Sequence, residues 1–138
     1  MKGTVKWFNT KKGYGFITDS EGNDTFVHHS NIVMDGFRHL NEDDIVNYEL
    51  ETGKDGRVQA VNVQPILTMK MIEDSLKKED LYVKEIKSNK NTIVMNALGM
   101  TKGYMVVDQN EVIQAGEQGM SFLDLAAFAG FDTEGLSE

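Results

Sequence analysis

Residues 1–64 contain five short stretches in which apolar and polar positions alternate: "GTVKWFN", "YGFITD", "DTFVHHS", "IVNYELE" and "VQAVNV". A period of two marks a strand with one covered face, and a spacing of about ten residues between such runs predicts an all-β domain. The breaks "TKKG", "SEGN" and "TGKDGR" carry the Gly, Asn and Asp that tight turns need for positive φ. A longer loop, "NIVMDGFRHLNEDD", separates the third run from the fourth. Five strands in about sixty-five residues predict a small barrel of the OB type.

The pattern changes after Pro65, the one proline, which predicts the end of the fifth strand and a domain boundary. "TMKMIEDSLKKED" sets Met69, Ile72 and Leu76 at helical spacing, with acids early and lysines late, and predicts a helix over about 68–80. "LYVKEIKSNKNTIVMNA" predicts two strands around an Asn/Ser turn. "GYMVVDQNEVIQ" predicts one more strand or a hairpin opened at "DQN", so that strands fill about 81–114. "SFLDLAAFAG" predicts a helix over about 122–129, with Ser121 as N-cap, Asp124 completing a capping box and Gly130 at C′. The last eight residues, "FDTEGLSE", are expected to fray. The fold class is therefore a mainly β N-terminal five-stranded OB-fold barrel, residues 1–66, plus a small α+β C-terminal domain, residues 67–138.

Alternation also sorts the side chains by face. Tyr14 and Phe16 share one side of the second strand, and Phe26 and His28 share one side of the third. Ile17 and Val27 take the opposite sides and form the inward set with Val5, Val46, Tyr48 and Leu50. The rings then point away from the core. An outward aromatic row needs a flat cover, and unpaired nucleobases supply one, with stacking that contributes ~1–3 kcal/mol per base. Gly13 and Gly15 are expected to let a strand backbone approach the ligand closely. Nearby lysines would meet phosphates, giving an affinity that falls with salt.

A net charge of −8 speaks against a nucleic-acid partner until its distribution is considered. Lys2, Lys6, Lys11 and Lys12 occupy the first dozen positions with no acid among them, whereas residues 103–138 carry acids only. The local patch decides the partner, not the total. With no cysteine, disulfides and thiolate metal sites are excluded. The N-terminus lacks the apolar run of a signal peptide, and no window approaches the ~18 apolar residues of a membrane span. The expected location is the cytoplasm, with no membrane partner. Asp108, Glu111, Glu117 and Asp124 could gather a divalent ion, but their spacing is not specific. The expectation is a binding protein, not an enzyme, with no cofactor and no metal.

The run "GTVKWFN…KKGYGFIT…DTFVHHS…GF…VQAVNV" resembles the cold-shock domain of bacterial cold-shock proteins. "KGYGFI" corresponds to the family's first ribonucleoprotein motif and "TFVHHS" to its second, in the family's order and separation. The resemblance implies an OB-like barrel that binds single-stranded RNA or DNA and can act as an RNA chaperone. It also implies binding residues Lys6, Trp7, Lys12, Tyr14, Phe16, Asp24, Phe26, His28 and Phe37. His29 stands where the family's common pattern has phenylalanine; it joins the candidate set as a weaker stacking ring that could attract phosphate when protonated. The turn "TGKDGRVQ" is about one residue longer than is usual in the family. It leaves open whether Lys54 or Arg57 reaches the ligand; Arg57 is carried as the candidate. Residues 67–138 resemble no family. Their plain reading is a small core in which Met69, Met71, Met95, Met100, Met105 and Met120 fill gaps. The sharper reading of "FLDLAAFAGF" is contact with a partner chain or with the barrel, with a homodimer the simplest case.

Overall fold

The computed structural model describes residues 1–136 and divides them into two compact units, Met1–Met69 together with Leu136, and Lys70–Gly135. The expected frayed tail at 131–138 falls partly outside the described residues, at Ser137 and Glu138.

In the first unit, β1 (Lys2–Asn9), β2 (Tyr14–Thr18), β3 (Asp24–His28), β4 (Ile45–Thr52) and β5 (Val58–Leu67) close into a barrel in the order β1-β2-β3-β5-β4. All neighbours are antiparallel except β3 and β5, which pair in parallel at Phe26–Gln59 and Val27–Ala60. Closure leaves no open sheet edge and encloses an aliphatic core. Val5, Ile17, Val27, Val46 and Tyr48 are buried there, joined by Ala60 and Val63 of β5. The long loop contributes as well, because Ile32 and Leu40 are part of this core. Leu50, expected inside, is 46% exposed. The β4–β5 register shifts between Asn47 and Glu49, and Leu50 lies beyond that shift, toward the turn end of the hairpin.

Pro65 does not end β5. The strand runs through it to Leu67, pairing Val46 with Pro65 and Ile45 with Leu67. Those two pairs skip Ile66, so the proline sits beside a bulge, one of the few places where a strand tolerates a residue with no N–H to donate.

The second unit contains α1 (Met69–Lys77), β6 (Tyr82–Lys87), α2 (Ile93–Ala97), β7 (Lys102–Val107), β8 (Ile113–Met120) and α3 (Phe122–Phe128), with a sheet ordered β6-β7-β8. Ile72 and Leu76 anchor α1, and Phe122, Leu125 and Ala126 anchor α3. Ser121 Oγ accepts from the Asp124 N–H at 3.1 Å. Because α1 starts at Met69, Glu73 and Asp74 fall outside its first turn, and the dipole argument holds only for Lys77 at its C-terminal end.

Two strand expectations are corrected. "TIVMNA" forms the short helix α2, not a strand. Thr92 Oγ1 accepts from the Asn89 N–H at 2.9 Å and donates to the Asn89 carbonyl at 2.8 Å, folding a tight turn that launches a helix. Met95 is the one buried side chain of α2, so the β-branched pair Ile93–Val94 had no covered strand face to occupy. β8 also extends past 114 to Met120, with "DQN" opening the β7–β8 hairpin. Of the six methionines expected in the core, Met95 is fully buried and Met71 is exposed. Among the described residues no helix is long and apolar enough to cross a membrane.

Candidate nucleic-acid interface

Strict alternation from the buried Val5 would turn Trp7 inward. The β1–β2 register instead shifts between Val5 and Trp7, placing an extra residue, Lys6, in β1. Such a bulge reverses every later side chain on the strand. Trp7 therefore faces out, 40% exposed, while Phe8 packs against the core.

The bulge aligns the rings. Trp7 is the Cα partner of Phe16, and Phe16 that of Phe26, so three aromatic residues run side by side across β1, β2 and β3. Tyr14 and His28 form the next row. Ring centroids lie 5.3 Å apart for Trp7–Phe16, 5.8 Å for Trp7–Tyr14, 5.8 Å for Tyr14–Phe26 and 5.9 Å for Phe16–Phe26. These are aromatic packing distances. Four rings thus share one continuous surface on the outside of the barrel.

Gly13 and Gly15 play a different part from the one expected. Both are buried. A Cβ on Gly15 would fall 2.2 Å from the Trp7 carbonyl oxygen and 2.8 Å from Phe8 Cα, so Gly15 permits close approach of β1, not of a ligand. Gly13 has φ +77° and lies beneath His29, whose Cδ2 would be 2.5 Å from an added Cβ. The Gly13 carbonyl accepts from the His29 N–H at 2.8 Å.

Strict alternation along a strand would send the adjacent His28 and His29 to opposite faces. β3 ends at His28, and a single 3-10 turn, His29–Asn31, brings the two imidazoles to 4.3 Å between centroids. Ser30 Oγ lies 2.8 Å from His28 Nδ1 and orients that ring. Phe37 is 67% exposed and stacks on His39 at 5.5 Å. Among the described residues no ring contact joins that pair to the Trp7–Phe26 cluster.

Charge placement is mixed. Lys6 Nζ donates to Asp24 Oδ2 at 2.7 Å, and Thr18 Oγ1 donates to Asp24 Oδ1 at 2.8 Å. The Lys6 bond, then that of Thr18, hold the Asp24 carboxyl below its usual range. Lys12 is exposed in the β1–β2 turn, where its backbone N–H donates to Asn9 Oδ1. Arg57 lines a cleft of about 580 Å³ together with Phe16, Phe26, Asp24, Val58 and Gln59. Its Nε is 3.6 Å from Asp55. Lys54 is exposed in the same turn.

Val58 and Gln59 went unnoticed in the sequence. They reach the ring surface through the parallel β3–β5 pairing, a long-range contact for which local alternation gives no signal. Among the described residues no three His, Asp or Glu side chains converge to hold a metal. Asp108 is occupied with its own turn, accepting from the N–H groups of Asn110 and Val112, and Glu111 pairs with Lys84.

Residues 1–66 match the family model described as the "'Cold-shock' DNA-binding domain". The chain is 53% identical over 66 residues to a cold shock-like protein of Thermotoga maritima, covering 48% of this chain and 98% of that one. The chain belongs to the cold-shock protein family. Cold shock protein 2 of Lactiplantibacillus plantarum is 57% identical over 63 residues, covering 46% of this chain and 94% of its own. Glycine-rich protein 2 of Nicotiana sylvestris is also 57% identical over 63 residues, which are 29% of its length. The barrel is accordingly a cold-shock domain, a nucleic-acid-binding module, and its aromatic cluster lies on the outside of that domain.

Proposed function

We propose that the cold-shock domain binds single-stranded RNA or DNA by stacking bases on Trp7, Tyr14, Phe16, Phe26 and His28, with Phe37 and His29 as flanking rings. Lys6, Lys12 and Arg57 meet phosphates. One observation carries this reading: four rings form a continuous outer surface while the aliphatic residues of the same strands fill the core. Every base offers a π-face, so such a surface tolerates sequence variation. A protein that holds unpaired strands pulls hairpins open by mass action, which is RNA-chaperone behaviour, and it would affect transcription or translation through the same step. Trp7, the single tryptophan, provides the test. Titrating an unstructured oligonucleotide should quench its emission, and excess protein should open a labelled RNA hairpin. Emission that stays constant, with no binding by anisotropy, would overturn the reading.

A second reading makes the barrel a targeting module and lets residues 67–138 set the function by holding a protein. It is favoured by α2 and the residue that caps its C-terminus, where Ile93 is 72% and Leu98 68% exposed. Capture by the full chain that is lost in Ile93→Asp/Leu98→Asp, with oligonucleotide binding retained, would support it.

A further inference from the structure

Between Leu81 and Val107 the chain carries Lys84, Lys87, Lys90 and Lys102 against one carboxylate, Glu85. That segment is basic within a chain of net charge −8. Lys84 is committed to Glu111, 2.7 Å away. The other three belong to one end of the β6-β7-β8 sheet. Lys87 and Lys102 are Cα partners in the last pair of the β6–β7 ladder, so their side chains leave the same face. Glu85 projects from that face too, two residues back along β6, and the Lys102 ammonium lies 6.0 Å from the Tyr104 ring centroid.

The loop beyond this pair is tightly held. The Ser88 N–H donates to the Thr101 carbonyl at 2.9 Å, extending the ladder. Asn96 Nδ2 donates to the Asn89 carbonyl at 2.8 Å, and the Asn91 N–H donates to Asn89 Oδ1 at 2.7 Å. Lys90 is exposed between these fixed points. Among the described residues no carboxylate pairs with Lys87 or Lys90. A braced loop that presents Lys87 and Lys90 with no carboxylate paired to them among the described residues offers two fixed cations to an anion.

We propose that this end of the second unit is a phosphate-binding patch for the backbone of a single-stranded nucleic acid, the ligand class of the function proposed above, on which this inference rests. The ligand class follows from the barrel on the same chain. The patch is built of lysine point charges, and point charges hold a phosphodiester backbone without reading its sequence. Carried on the same chain as the barrel, it raises affinity for strands long enough to engage both.

The test uses the full chain, wild type and Lys87→Gln/Lys90→Gln, whose two exposed positions leave the core intact. Binding is measured over a salt series with an oligothymidylate of about six nucleotides, within the ~4–16 that one OB barrel holds, and one of about thirty. The variant should bind the short strand as wild type does. It should bind the long one roughly tenfold more weakly near 0.15 M salt, with a log–log salt slope smaller by about 1.4, from ~0.7 per lost phosphate contact. Equal long-strand affinities and slopes for the two proteins would overturn the proposal. So would polyglutamate that competes with the long strand as well as nucleic acid does, since that points to an acidic protein. If wild type fails to bind the short strand while the variant still weakens long-strand binding, the barrel reading falls and the patch stands.

Discussion

The Lys6 ammonium and the Asp24 carboxylate lie 2.7 Å apart beside the aromatic surface, so a lysine expected to meet phosphate is already paired. Both groups are solvent-exposed, where ion pairs are weak and screened by salt. A phosphate must nevertheless displace the carboxylate or share the lysine with it. Asp24→Asn should free Lys6 and remove a negative charge from the binding face. Single-strand affinity is expected to rise by about two- to fivefold at low salt, and the gain should shrink as salt is added. Isothermal titration at three ionic strengths checks this. An affinity that falls in Asp24→Asn would mean that the carboxylate itself contacts the ligand, for example by accepting from a base amine.

Phe16 and Phe26 are Cα partners at the centre of the ring row, half-buried by their neighbours but outside the aliphatic core. Phe16→Ala or Phe26→Ala should therefore cost on the order of 1–3 kcal/mol of single-strand binding while the barrel persists. Oligonucleotide anisotropy with a parallel thermal melt separates the effects. Collapse of the melt, with affinity per folded molecule preserved, would make the rings structural.

The barrel was legible because its strands each expose one face, so alternation reports directly on burial: Ile17 and Val27 went in, and Tyr14, Phe16 and Phe26 went out. Trp7 came from family resemblance alone, since simple alternation from Val5 assigns it to the wrong face. The bulge at Lys6 that turns it outward is a property of the β1–β2 pairing, not of β1. The proline bulge that lets β5 continue to Leu67 was hidden for the same reason. In the second unit, "TIVMNA" has β-branched residues at its start, and only the Asn89–Thr92 hydrogen bonds reveal a helix. Turn bonding between polar side chains leaves no periodicity to read.

Gly15 ties the aromatic surface to the fold. Its missing Cβ would meet the backbone of Trp7 and Phe8, which are main-chain atoms and cannot rotate away. Gly15→Ala should force β1 from β2, destabilise the barrel by about 1–3 kcal/mol or more, and shift Trp7 emission in the free protein. A denaturant titration followed at Trp7 measures both. An unchanged midpoint would show that the two strands can separate at no cost.

Asp44 gives the barrel a pH dependence with a defined sign. The residue is buried, its Oδ2 accepts from the Asn41 N–H at 3.0 Å, and the Met69 backbone N–H adds a weaker hydrogen bond to the carboxyl. Burial, only partly offset by the Asn41 bond, pushes its carboxyl up to about 6 from 3.8. The native state therefore holds a proton that the unfolded chain releases between about 4 and about 6. This group's contribution is fully present below about 4, is lost as pH rises through 6, and changes no further above it. Asparagine keeps an acceptor for the Asn41 N–H and carries no charge. Asp44→Asn is expected to stabilise the protein at pH 7.5, on the order of 1–3 kcal/mol for a shift of this size. It should be nearly neutral at pH 4, and it should flatten the stability profile between those limits. Urea midpoints at pH 4, 5, 6 and 7.5 for both proteins decide it. A gain equal at all four values would assign the effect to packing rather than to the proton.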